Sequence, residues 1–178
     1  MKNSLVQAAD ALLQQGEIML EQLSDSNYTQ KMPTVFNASI GGHFRHCLDH
    51  FQLLHDSCRN GVVNYDDRQR GTSVEFNRMA AFVQTQALRQ ALQEMEQLDQ
   101  PLLILAKSTY AGDTAEKAMS TLGRELIYAV SHAIHHFALI KVMANLQGAS
   151  LPASFGIAPS TLQYRDCAED HKKLALTA

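Results

Sequence analysis

The sequence is poor in cysteine and has no long apolar run. It contains three cysteines, Cys47, Cys58 and Cys167, and no Cys-x-x-Cys pair. The odd count and the missing pair argue against a disulfide framework and against a zinc site built on thiolates. The amino-terminal residues lack the apolar core of a signal peptide, and we find no segment that approaches the length of a membrane span. We therefore expect a cytoplasmic protein with no membrane partner.

An excess of positive charge is also absent. The chain has 15 lysines and arginines against 18 acidic residues, for a formal net charge of −3. A nucleic-acid partner is not expected, because binding to phosphate backbones requires a basic surface. The length of 178 residues suits one domain. We predict a single domain over residues 1–178, with a core over about 1–148 and a carboxyl-terminal arm over 149–178.

There is little strand signal, whereas helical periodicity is strong. Apolar residues recur every three to four positions in four long segments, residues 4–23, 39–59, 74–97 and 121–146. Asn37 or Ser39 is suited to cap the second segment, and Ser120 or Thr121 the fourth. The short apolar run after Pro101 fits either an extended segment or a hairpin arm between the third and fourth helices. This pattern predicts an all-α fold, a four-helix bundle with long inter-helix connections.

Seven of the eight histidines lie in two short windows, one in the second and one in the fourth predicted helix. The first window contains His43, His46, His50 and His55, and the second contains His132, His135 and His136. Spacings of three and four residues place side chains on one side of a helix, and neutral imidazole is a common metal ligand.

His132 and His136 have the i, i+4 spacing that directs two imidazoles at one ion. The glutamate of the two-histidine protease motif is missing between them, so a metalloprotease is not expected. Helical phase places His135 near the opposite side of the helix, and on the second helix it slightly favours His50 over His46. The metal candidates are therefore His46, His50, His132 and His136, for zinc, nickel or iron. No catalytic residue follows from the pattern.

The chain resembles the DinB-like (DinB/YfiT-like) superfamily at these residues. Ser39-Ile40-Gly41 followed by His46 matches that family's second-helix motif, and His132 with His136 matches its last-helix motif. The resemblance implies a four-helix bundle that holds a divalent metal with three histidines. It also implies a metal-dependent enzyme that acts on a small molecule, such as a hydrolase or an S-transferase that uses a low-molecular-weight thiol as a second cofactor.

Two alternatives to an enzyme stay open at the level of sequence. One is a non-catalytic metal-binding or stress-response bundle, and the other is a structural homodimer whose histidines form a buried polar network. Arg68 and Arg70 are candidates for binding a carboxylate, and Asp49 or Glu125 for orienting a metal-bound imidazole. The simpler interpretation of these charged residues is a solvated ion-pair network.

Overall fold

The computed structural model describes residues 3–110, 114–165 and 167, and these residues form an α+β fold. The helices are α1 (Ser4–Gln22), α2 (Asp25–Thr29), α3 (Ile40–Asn60), α4 (Ser73–Phe76), α5 (Arg78–Leu92) and α6 (Leu122–Leu146), and the strands are β1 (Val62–Asn64), β2 (Pro101–Ala106) and β3 (Glu116–Thr121). Residues 159–165 are also helical.

The predicted all-α class was wrong, because three segments between the long helices form a sheet. The strand order is β1-β2-β3, with β1 parallel to β2 and β2 antiparallel to β3. The apolar run that starts at Pro101 is too short for a stable helix, and proline is tolerated at the first position of a strand. Strand pairing satisfies the backbone hydrogen bonds of this run. Its fully buried Leu102 side chain packs into the core.

Three of the four predicted helices agree with the structure to within about two residues. Ser39 caps α3 by accepting a hydrogen bond from the Gly42 amide (3.0 Å), and Thr121 caps α6. The third predicted helix is divided into α4 and α5 at Asn77, whose backbone is extended. The Asn77 side chain accepts a hydrogen bond from the Ala80 amide, so it starts a new helix rather than continuing the old one.

The core places α3 beside α6, the two helices that carry the histidines. Phe44 and Phe51 of α3 and Phe137 of α6 are each at most 1% exposed. The sheet fixes this pair at one end, since Gly61 (φ +71°) turns the chain from α3 directly into β1, and β3 runs directly into α6. The histidine windows therefore lie on two rigid, adjacent elements.

The carboxyl-terminal arm was predicted over 149–178, and its first part lies on α6. The Phe155 ring stacks on the Phe137 ring with centroids 4.8 Å apart. Residues 166 and 168–178 of the predicted arm lie outside the described residues.

Helix α6 differs from expectation in one further respect. By length and composition alone this 25-residue helix, which contains an 18-residue window with a mean hydropathy of 1.3, could cross a membrane. The core helix of a soluble protein has the same composition, and the apolar face of α6 packs against α3 and α1.

Candidate metal centre

Three histidines from α3 and α6 converge at one point. One ring nitrogen each from His46, His132 and His136 lies within 4.8 Å of the other two. His46 Nε2 and His132 Nε2 are 2.8 Å apart, and the ring centroid of His46 lies 4.7 Å from that of His136. All three side chains are half-buried. Three imidazoles in this arrangement are a ligand set for one divalent cation.

Two further histidines border this trio without joining it. His50 is 3% exposed, and its Nδ1 donates a hydrogen bond to the backbone carbonyl oxygen of His46 (2.9 Å). Its ring stacks on His132 with centroids 4.3 Å apart. His43 Nδ1 lies 2.9 Å from His136 Nδ1, and His43 Nε2 is buried with no hydrogen-bond partner among the described residues.

The structure thus separates the two histidines that the sequence left as alternatives on α3. It brings His46 together with His132 and His136, and it commits one nitrogen of His50 to the helix backbone. His135 is exposed, as helical phase predicted, and His55 lies beside Asp56 (3.3 Å). The assignment of any of these residues as a metal ligand stays a prediction.

Burial keeps the clustered imidazoles neutral. Burial lowers the pKa of His46 to about 2, with further contributions from His50 and Arg68. Burial and the neighbouring His132 lower the pKa of His136 to about 3, and burial lowers the pKa of His50 to about 4. The pKa values of His43 and His132 are also lowered, mainly by burial. Neutral imidazole is the form that a metal requires.

Arg68, in the loop after β1, sets the proton positions in the cluster. Its guanidinium donates to His46 Nδ1, because arginine has no acceptor atom. A neutral His46 then carries its proton on Nε2 and donates it to His132 Nε2. A single proton therefore lies between His46 Nε2, which donates it, and His132 Nε2, which accepts it.

A buried carboxylate supports the cluster from the side of the sheet. Glu125 is 2% exposed and accepts hydrogen bonds from the Tyr65 hydroxyl (2.7 Å) and the Ser120 hydroxyl (2.6 Å). Burial and the hydrogen bond to Glu125 raise the pKa of Tyr65, and the Tyr65 ring stacks on His50 at 5.2 Å. Glu125 makes no hydrogen bond to a described histidine, so it positions Tyr65 rather than an imidazole.

The other acidic candidate, Asp49, is paired with Arg45, which also binds Glu75 (3.2 Å). Tyr65 had not been identified from the sequence, because it lies in a loop where periodicity gives no signal. Its position next to His50 depends on the pairing of β1 with β2, which places the following residues against α6.

A cleft of about 530 Å³ opens onto the histidine cluster. Its floor includes His43, His46 and His136, and its rim includes Arg68 and Arg70. This volume is within the range of small-molecule binding sites. The cluster is therefore reachable from solvent.

Comparison with known proteins gives one informative relative. FK506-binding protein 5 of Rhizopus delemar is 39% identical to this chain over 105 residues. The match covers 58% of this chain and 27% of the relative. No model of a known protein family matches the chain, and no solved structure matches it.

These findings correct the sequence-based identification. The predicted membership of the DinB-like superfamily was wrong, since the relative is an FK506-binding protein and no family model supports the resemblance. The function inferred from that resemblance, a metal-dependent enzyme such as a thiol S-transferase, is not supported either. The two alternatives, a non-catalytic metal-binding or stress-response bundle and a structural dimer, are likewise unsupported. The short motifs misled because histidines at helical spacing on two packed helices converge in any fold that places those helices side by side.

Proposed function

We propose that this chain is a ligand-binding module related to part of FK506-binding protein 5, with the cleft above the histidine cluster as its binding site. The 39% identity over 105 residues carries this proposal. The name of the relative says that it binds FK506, and the matched stretch is 27% of that protein. The proposal for this chain is therefore binding of a small ligand, with FK506 as the first ligand to test.

A divalent cation is the cofactor that we propose for this site. His46, His132 and His136 would hold it, and their neutral state and converging nitrogens support a site for zinc, nickel or iron. A bound cation would supply positive charge and an open coordination position for the ligand. We make no proposal of catalysis, and the predicted cytoplasmic location and homodimer stay predictions.

Arg68 opposes this cation and makes the cofactor proposal testable. A cation bound to His46 Nε2 would displace the proton that lies between His46 and His132. The neutral His46 ring would then carry its proton on Nδ1, where it would face the N–H donor of Arg68. The guanidinium also adds a positive charge beside the site. Arg68→Gln should therefore raise the affinity for zinc several-fold, whereas weaker binding by this variant would contradict the proposed coordination.

The cofactor is tested by zinc titration calorimetry on chelator-treated and dialysed protein. We expect His132→Ala and His136→Ala each to lower the affinity at least about a hundredfold, since even residues that only orient a ligand cost 10- to 100-fold. His46→Ala should have the same effect, and His50→Ala a smaller one. His135→Ala is the matched control, because its ring is exposed on the same helix. Zinc binding that survives loss of both His132 and His136 would refute the site.

The ligand is tested by titrating FK506 into the same preparations. Saturable binding that is weakened by Arg68→Gln, and not by His135→Ala, would support the cleft as the binding site. Absence of binding would refute FK506 as a ligand of this cleft. The zinc titration is independent of this result.

A further inference from the structure

The cleft above the histidine cluster has an unbalanced charge. Four basic side chains line it, Lys31, Arg45, Arg68 and Arg70, against one carboxylate, Glu75. That carboxylate is already paired with Arg45 at 3.2 Å. This local excess of positive charge occurs in a chain whose formal net charge is −3. The excess is therefore a property of the cleft and not of the whole protein.

Three of these cations have no acidic partner within the described residues. Lys31, Arg68 and Arg70 make no ion pair with any described carboxylate. Arg68 is half-buried, and its Nε is buried with no acceptor in the part of the chain that the structure describes. Its Nη1 donates to the neutral imidazole of His46. Asp49 interacts with Arg68 electrostatically but forms no ion pair with it, so the partly desolvated guanidinium has no carboxylate in contact and leaves room for an anion.

The helix that forms one wall adds to this potential. Ser39 and Gly42, at the first turn of the 21-residue α3, line the same cleft. The amino terminus of a long helix carries partial positive charge and favours an anion. The arginines supply the directional donors, because a guanidinium matches the oxygens of carboxylate and phosphate groups.

We propose that this cleft binds an anionic small molecule, with a carboxylate or phosphate group held between Arg70, Lys31 and Arg68. This names the ligand class of the proposed binding site and therefore builds on the proposed function. The anionic group lies on the rim, and the rest of the ligand extends toward His43 and His136 on the floor. Arg68 contacts both the anion and His46, so it joins the two parts of the site.

The test is titration calorimetry on the metal-free full chain at pH 7.5 and low salt, with sodium phosphate and sodium succinate as separate probes. Arg70→Gln and Lys31→Gln should each weaken binding about tenfold, because each removes a charge-assisted hydrogen bond. Arg59→Gln makes the same change in net charge at the other end of α3 and should alter affinity less than twofold. Both Arg59 and Arg70 are exposed, so thermal melting should report folded variants. Binding of phosphate alone or of succinate alone supports the proposal and identifies the anionic group.

Two results would overturn the proposal. One is the absence of binding for both probes, and the other is an equal loss in Arg59→Gln and Arg70→Gln, which would mean general charge attraction. Zinc titration of the same samples separates this proposal from the cofactor proposal. Intact zinc binding without anion binding refutes the anion site alone, and anion binding without zinc binding refutes the cation site alone.

Discussion

Removal of the buried Glu125 carboxylate should destabilise the fold strongly. In Glu125→Ala, the hydroxyls of Tyr65 and Ser120 lose their common acceptor. Hydrogen bonds to a charged group contribute roughly 1.5 to 3 kcal/mol each, and a buried hydroxyl left without a partner adds a desolvation cost. The Arg124 contact adds little, because that side chain is 66% exposed. We expect a loss of about 3 to 5 kcal/mol in the free energy of unfolding.

Urea denaturation followed by circular dichroism measures this loss. For a protein of this size 1 kcal/mol corresponds to a change of about 2 to 4 °C in melting temperature, so Glu125→Ala should melt at least about 6 °C below wild type. Glu125→Gln keeps the shape and one acceptor and should lose less. Glu116→Ala is the control, because Glu116 is exposed on β3.

A double-mutant cycle tests the origin of the effect. Tyr65→Phe combined with Glu125→Ala should show a coupling energy of at least about 1 kcal/mol, because each substitution removes one partner of the same hydrogen bond. A Glu125→Ala protein as stable as Glu116→Ala would refute the reasoning, since the carboxylate would then contribute nothing as an acceptor.

Two further predictions concern the histidine cluster and the arm. In metal-free protein, stability should be constant above about pH 7 and fall as the pH drops below about 6.5. Below that pH the histidines of the unfolded chain bind protons, whereas His46 and His136 of the folded chain stay neutral because their pKa values are lowered. Each such histidine contributes up to about 1.4 kcal/mol per pH unit, and equal urea midpoints at pH 7.5 and 5.5 would contradict this. Gly156→Ala should cost more than about 2 kcal/mol in unfolding experiments, since φ is +68° and a Cβ there would lie 2.6 Å from the Phe137 backbone carbon. Gly71→Ala has a similar φ (+70°), and no atom of the described residues lies within 4 Å of the added Cβ, so it should cost only about 1 kcal/mol. Equal losses in the two variants would show that the contact with Phe137 is unimportant.

The helices that carry the histidines could be predicted from the sequence because their signals are local. Apolar periodicity and a capping side chain determine where α3 and α6 begin, and both act within a few residues. The same periodicity placed His135 on the outer face. It could not choose between His46 and His50, since the choice depends on the position of α6 and on the hydrogen bond from His50 to the backbone.

The sheet and the basic cleft depend on contacts between distant residues. The strand β1 has three residues, and its partner lies beyond two helices in the chain, so no local pattern indicates the pairing. Arg68 follows that strand and reaches His46 only because the pairing fixes the loop. The resemblance to a known family was misleading for a related reason, because it rested on short motifs from two helices and left the sheet out of account.

The parallel pairing of β1 with β2 also has a consequence for how the molecule folds. Val62 to Asn64 pair with Leu103 to Leu105, and this contact closes a chain loop that contains all of α4 and α5. Closing so long a loop costs entropy before any contact compensates for it, and such topologies fold more slowly than bundles with local contacts. Because the same pairing fixes the loop that contains Tyr65 and Arg68, the histidine cluster acquires its final surroundings only after this slow step. A refolding chain should therefore form helix early and complete the proposed binding site late.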